Sequence, residues 1–308
     1  MRQRSYAFGL NLDLAYPVES CPQRAWVDGC PEMRMEFVPP PERGAGRGPG
    51  VTLTEDGEGG YVLDLPGVGH FEVRGDGRLL CSHEDEAEGL WEQVLVGQVL
   101  PLAAVVAGLE VLHASCVAFR GVAVGFVGSS GAGKSTLAAR FVGRGARFMG
   151  DDVLAISQGP ECPVAHPGPN FVRLALGAPG GGADAAGKVA RELLPMSEGC
   201  PLGVLYFLGH SDDATEVSFD GRVGAPELLA ATFNLVVQSP ERLERQLAVM
   251  AQADACGVPV RVTVTAGMAP AATARALAED AAARVGRVGE AAGIRLGVAP
   301  GRRADLES

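Results

Sequence analysis

Apolar positions along this chain follow two rhythms. From Ser5 to Phe37, apolar and aromatic residues sit in short runs broken by Pro and Gly, the pattern of short strands and loops. Pro39 to Gly50 (PPPERGAGRGPG, from Pro39) then reads as an irregular connection. The next stretch, VTLTEDGEGGYVLDLPGVGHFEVRGDGRLLCS, is a series of β-type runs punctuated by Asp56-Gly57, Pro66-Gly67 and Asp76-Gly77, the signals of successive hairpins. Residues 84–109 change rhythm. They open acidic and continue LWEQVLVGQVLPLAAVVAGL, which predicts one or two helices with a charged first turn and a buried body, interrupted near Pro101.

Beyond residue 110 strands and helices alternate. VLHASCVAF and VAVGFV predict two strands joined at Arg120-Gly121, and the second runs directly into GSSGAGKST and a helix from Lys134 to about Arg144. GARFMGDDVLAIS reads as a turn, a short strand, two carboxylates and a further strand. FVRLAL predicts a strand and GAPGGGADAAGK a flexible loop. PLGVLYFLG, TEVSFD and VPVRVTV predict strands. PELLAATFN predicts a helix, Ser239 caps another that has Pro240 at its first position and runs to about Ala255, and an Ala-rich helix covers about Pro270 to Ala283. The expected organisation is a β-rich domain over 1–83, a helical connection over 84–110, an α/β domain over 111–300 and a disordered tail over 301–308.

Charge and composition narrow the functional classes. Lys and Arg total 26 against 37 Asp and Glu, a net charge of −11 over 308 residues. That balance leaves no basic footprint for a phosphate backbone or an anionic membrane, so neither nucleic acid nor membrane is an expected partner. The 7 cysteines are odd in number and widely spaced, with no C-x-x-C pair, which disfavours a disulfide framework and a zinc site and fits a reducing, cytoplasmic setting. The N-terminus lacks an apolar segment of signal-peptide length, and the apolar run from Val99 to Leu109 is too short to span a bilayer.

The residues that carry chemistry cluster after the second strand of the α/β part. Gly128-Ser129-Ser130-Gly131-Ala132-Gly133-Lys134-Ser135, followed by Thr136, matches G-x-x-x-x-G-K-[ST] between a predicted strand and helix. In that context glycines let successive backbone N–H groups face a polyphosphate, a lysine reaches the β and γ phosphates, and the Ser135 hydroxyl can ligate Mg²⁺. Only two lysines occur among the 26 basic residues, Lys134 and Lys188. A compact ammonium is therefore retained where a planar guanidinium would not fit at Lys134, and either for function or by chance at Lys188.

Asp151 and Asp152 follow Lys134 closely, early for a Walker B carboxylate. On an extended backbone adjacent side chains point to opposite faces, so one aspartate can serve the metal while the other turns toward an incoming hydroxyl. Asp152 is assigned here as base and Asp151, with Ser135, to the metal side, although alternation does not say which face is which. His113, in LHAS, either orients an aspartate or is a satisfied core residue. Lys188 and Arg191, in GKVARELL, either offer cations to the transferring phosphoryl group from a closing loop or form a solvated helix start.

The segment LHASCVAFRGVAVGFVGSSGAGKSTLAARFVGRGARFMGDDVLAIS resembles the HPr kinase/phosphorylase superfamily, in particular its shorter kinase-like branch of bacterial serine kinases, some of them tailoring natural-product peptides. The resemblance is strongest over 111–157, weakens through HPGPNFVRLAL, Lys188 and PLGVLYFL, and includes the GVGHF hairpin. It implies an α/β fold of HPr-kinase type with a β-rich N-terminal domain, and ATP- and Mg²⁺-dependent phosphorylation of a serine hydroxyl, with an aspartate as base and His113 near it. The PGPN loop departs from the relatives, and no counterpart of the Glu-containing segment that follows the aspartate pair is recognisable, which leaves a second metal carboxylate and any phosphorolysis open. The acceptor expected is a peptide or protein. A small hydroxyl-bearing metabolite, or a non-catalytic nucleotide-binding sensor, is the alternative.

Overall fold

The computed structural model describes residues 2–40, 50–83, 89–168, 171–175, 182–183, 188–192, 196–212, 216–219, 221–233, 237–265 and 267–291, with backbone alone at 171–175, 182–183, 188–192 and 286–291. Strands β1 (Gln3–Ala7) and β2 (Leu10–Leu14) form an antiparallel hairpin. Its two turn residues, Phe8 and Gly9, both have positive φ, 55° and 77°, the left-handed pair that matches strand twist in a tight hairpin. Strand β3 (Glu32–Phe37) joins β2 in parallel. The meander β4 (Thr52–Glu55), β5 (Tyr61–Leu65), β6 (Gly69–Val73) and β7 (Arg78–His83) follows, with turns at the three predicted Gly positions. Strand β7 returns beside β3, also in parallel, so the sheet runs β1-β2-β3-β7-β6-β5-β4.

A helical segment covers one face of this sheet: α1 (Leu90–Val94), a π-helical turn (Leu95–Val99) and α2 (Leu100–Val106). The predicted break at Pro101 is absent. Pro101 lies in the first turn of α2, and the irregularity falls instead on the π turn, where one extra residue is accommodated in the helical spiral. The core built by Leu10, Leu12, Phe71 and Leu79 with Leu95, Val99 and Ala103 continues to Val111, Val153 and Ala155, so the N-terminal sheet shares its interior with strands beyond residue 110.

The second sheet contains β8 (Glu110–Leu112), β9 (Ala114–Phe119), β10 (Val122–Val127), β11 (Arg147–Gly150), β12 (Leu154–Ser157), β13 (Val164–His166), the long β17 (Cys200–Ser211) and β18 (Pro259–Thr265). Its order is β11-β9-β10-β17-β13-β12-β8, with β18 on the other flank of β17. Strands β10, β17 and β18 are mutually parallel, and every residue of β10 is buried, as expected where both faces are covered. Helices α3 (Lys134–Val142) and α6 (Pro270–Ala291) cover one face through Leu137, Phe141, Leu277 and Ala281. Helices α4 (Ala225–Ala230) and α5 (Pro240–Ala255) cover the other through Leu228, Val249 and Met250. A small sheet of β14 (Phe171–Ala175), β15 (Gly182–Ala183) and β16 (Lys188–Glu192) lies beside α3.

The chain is therefore mixed α/β. Ser239 accepts the backbone N–H of Arg242 and Pro240 opens α5, as the local pattern predicts. Of the predicted strand TEVSFD, the described residues make an isolated bridge, Ser218 to Thr263, because Arg261 and Thr263 on β18 offer an edge to only part of it. Helix α6 extends past the predicted Ala283. The predicted tail lies outside the described residues, as do 41–49 of the predicted irregular connection. No described helix is long and apolar enough to cross a membrane.

Strand β8 is tied to α5 by a buried ion pair, Arg242 Nη2 to Glu110 Oε2 at 3.3 Å, and the same guanidinium donates to the carbonyls of Val237 and Phe233. Burial raises the Glu110 carboxyl above its usual range and Arg242 opposes that rise. Removing the cation would strand a desolvated carboxylate, so Arg242→Ala should lower the unfolding free energy by about 3–5 kcal/mol in urea titrations, whereas replacing both partners with apolar residues should cost much less.

Candidate functional site

Strand β10 ends at Val127 and the chain turns through Gly128–Gly133 into α3. Gly131 and Gly133 have φ of 84° and 90°, and a Cβ built on either would meet nothing within 4 Å, so both face an open cradle that side chains would fill. The constraint at Gly128 is different. A Cβ there would stand 3.1 Å from the Ala132 Cβ and 3.2 Å from the Leu208 carbonyl, so this glycine serves close packing against β17. The Lys134 ammonium curls back and donates to the carbonyls of Gly128 at 2.9 Å and Ser129 at 3.1 Å. The loop and the first turn of α3 line a cleft of about 760 Å³ together with His113, Asp152, Val153, Phe207 and Phe233. A glycine-rich backbone turn, a helix N-terminus and an ammonium suit a polyphosphate, and the Ser135 hydroxyl, in a cleft that Asp152 also lines, suits Mg²⁺.

The two aspartates separate, although not by strand alternation. They lie in a bend between β11 and β12, and Asp152 adopts φ 64°, a left-handed conformation that costs a side-chain-bearing residue about 1–2 kcal/mol. Asp152 borders the cleft of Lys134 and Ser135. Asp151 does not border it; it lines an adjoining cavity with Phe8, Gln93 and Gln98, and Asp152, Gly97 and Val153 border both spaces. From the sequence Asp151 is placed with Ser135 on the metal side; in the structure it is Asp152 that shares a cleft with Ser135. Asp151 is held by Ser115, a fully buried β9 residue whose hydroxyl donates to Asp151 Oδ1 at 2.5 Å.

His113 sits at the bend between β8 and β9, where the chain leaves one neighbour, β12, for others, β10 and β11. Its backbone N–H donates to the Ala231 carbonyl, and its ring packs at 4.9 Å on Phe233 at the edge of the cleft. Among the described residues its ring contact is with Phe233 rather than with an aspartate. Lys188 and Arg191 fall on β16, not on a helix start, in register with Ala175 and Val172 of β14. Their side chains, and residues 178–181 and 184–187 of the expected mobile loop, lie outside the described residues.

Sequence reasoning missed the part that the N-terminal sheet plays. The Phe8 N–H donates to the Pro167 carbonyl, Gly168 N–H donates to the Met149 carbonyl, and Arg24 bridges the carbonyls of Tyr6 and Gly168. His166 lies between them, buried, with its Nδ1 2.7 Å from the Tyr6 hydroxyl and its Nε2 2.8 Å from the Ser157 hydroxyl. Desolvation lowers its pKa to about 4. Glu227, Phe207 and Phe233 also line the cleft, and Glu227 is fixed by Arg261 and the Gly224 N–H. None of these has a spacing motif in sequence.

No family model matches the chain, and no curated protein sequence matches it. Among solved structures, the Hpr(Ser) kinase/phosphatase from Coxiella burnetii is similar at a TM-score of 0.35 and 10% identity, over 60% of this chain and 98% of that one. A likeness of that size leaves the chemistry to the geometry of this chain.

Asp152→Gly should remove the left-handed strain and leave stability unchanged or raised by up to about 1 kcal/mol, while Asp152→Ala, which keeps the Cβ, should not gain; urea unfolding of the two variants compares them. His166 tests the docking of the N-terminal sheet. Below pH 6.5 the unfolded chain takes up a proton on this ring that the folded chain refuses, so stability is full above that pH and falls as pH drops toward 4. The loss amounts to roughly 3 kcal/mol, and His166→Gln should flatten the dependence measured between pH 7 and 4.

Proposed function

We propose that this chain is an ATP- and Mg²⁺-dependent kinase that transfers the γ-phosphoryl group to a serine-type hydroxyl of a peptide or protein. The observation that carries the reading is that the open glycine cradle, Lys134, Ser135 and Asp152 border one cleft. The resemblance of residues 111–157 to the HPr kinase/phosphorylase superfamily supports the same reading.

The loop N–H groups and Lys134 hold the phosphates, with the ammonium moving from the Gly128 and Ser129 carbonyls to phosphate oxygens when nucleotide enters. Ser135 and Asp152 serve the Mg²⁺ side. Asp151, held by Ser115 and turned to the adjoining cavity, takes the acceptor proton as general base. This is the opposite order to the one assigned from the sequence. Phe207, Phe233 and His113 supply an apolar and aromatic wall for the rest of the nucleotide.

Lys134→Arg should reduce phosphoryl transfer to below about a tenth of wild type with the fold intact, because the wider planar cation does not enter the cradle as an ammonium does. Comparable turnover in a coupled ADP-release assay with acceptor would remove the role of Lys134. Asp151→Asn should lower turnover by about 10² or more with nucleotide affinity little changed, and Asp152→Asn should raise the Mg²⁺ concentration needed for half-maximal rate. The opposite pair of phenotypes would restore the original order, and two near-neutral variants would end the kinase reading.

A further inference from the structure

The cavity that adjoins the nucleotide cleft has a volume of about 310 Å³ and is bordered by Phe8, Leu90, Gln93, Gln98, Asp151 and Val153. It is built from three parts of the chain: the β1–β2 turn, the helical segment with its π turn, and the aspartate bend. Leu90, Gln93, Gly97 and Gln98 are exposed, so its mouth opens to solvent between α1 and the π turn. Gly97, Asp152 and Val153 form its boundary with the nucleotide cleft. Gly97 leaves that boundary clear, since a Cβ built on it would meet nothing within 4 Å.

We infer that this cavity is the acceptor subsite, and that it takes a serine side chain presented by a neutral or basic peptide while rejecting acidic flanks. The inference rests on the kinase reading above and adds the acceptor's chemical class. A hydroxyl held here meets Asp151 and reaches the phosphate side past Asp152. Its oxygen attacks the γ phosphorus, the bond from that phosphorus to the β–γ bridging oxygen breaks, ADP leaves, and the hydroxyl proton passes to the Asp151 carboxylate.

Size and chemistry select the acceptor. At the small end of ligand-binding volumes and with its mouth in solvent, the cavity suits one or two residues of a chain whose remainder runs outside. Glutamine amides carry both donors and acceptors, matching a peptide backbone, and Phe8, Leu90 and Val94 supply an apolar wall. Among the described residues the lining has two carboxylates and no lysine or arginine, on a chain of net charge −11. Carboxylates flanking the acceptor serine are therefore repelled in a partly desolvated space, where screening by salt is weak.

The test uses the full chain, Mg-ATP and three sets of serine peptides of equal length, with neutral, lysine-bearing and glutamate-bearing flanks, read by mass spectrometry for one added phosphoryl group. Equilibrium binding of Mg-ATP is measured in parallel. Neutral and basic sets should be phosphorylated at least ~10-fold faster than the acidic set, and Leu90→Lys, a half-exposed position at the mouth, should narrow that preference by ~3-fold or more. A merely structural role for Leu90 would change all three rates together and would overturn the assignment of the cavity. Equal or faster labelling of the acidic set overturns the proposed acceptor class. Mg-ATP binding without transfer to any peptide overturns the inference alone, while absence of Mg-ATP binding overturns the kinase reading and this inference with it.

Discussion

The site depends on the parallel pairing of β10 with β17. Ala123 to Val127 pair with Leu202 to Phe207, with one irregularity between Ala123 and Val124 at Gly203, and this contact carries the end of β10 into the glycine loop. Two glycines make the pairing tight. A Cβ on Gly125 would stand 2.5 Å from Leu205 Cδ2, and one on Gly203 2.4 Å from Val122 Cγ1, so neither strand tolerates a side chain at those points without displacing its neighbour. Helices α3 and α6 then pack Phe141, Leu277 and Ala281 against Phe126 and Tyr206, and the Tyr206 hydroxyl donates to Asp280 at 2.7 Å. The loop is carried by a buried strand and a packed helix, and its open face is what remains uncovered.

Around that rigid element the other site residues arrive through long-range contacts. Ser115 on β9 holds Asp151 because β9 lies between β10 and β11, and the Asp152 backbone is held in a left-handed conformation between two strands. The N-terminal sheet contributes Phe8 through a hairpin turn that is itself left-handed, docked by hydrogen bonds to residues 166–168. Strain at Asp152, a π turn that contains Gly97 and a neutral buried histidine at His166 all lie within this one region. Each is a local departure from the most stable geometry, and each positions a wall of one of the two cavities.

What was legible in the sequence is what local chemistry dictates. Arg120-Gly121 predicts a hairpin turn and has φ of 53° and 81°, and Ser239-Pro240 predicts a helix start that is found at that residue. The glycine motif, its strand and its helix are contiguous, so their spacing alone places them. The rest depended on pairings that no window contains. Tyr6 meets His166 across 160 positions and Ser115 meets Asp151 across 36, and the parallel pairing of β3 with β7 follows no hairpin rule. The separation of the two aspartates was expected from alternation along an extended backbone, whereas it arises in a bend where Asp152 is left-handed. Pro101 was read as a break although the first turn of a helix has no use for its missing N–H.

The central claim is that the loop of Gly128–Gly133 and Lys134 form a polyphosphate cradle beside a metal-binding carboxylate. Calorimetric titration of Mg-ATP, and of ATP with chelator in place of Mg²⁺, into the intact chain and into Lys134→Ala reads it most directly. The account predicts one site per chain, tighter with Mg²⁺ than without it, and weakened by at least about tenfold in the variant. Binding of equal strength in the variant, or no binding of nucleotide to the intact chain, would contradict it.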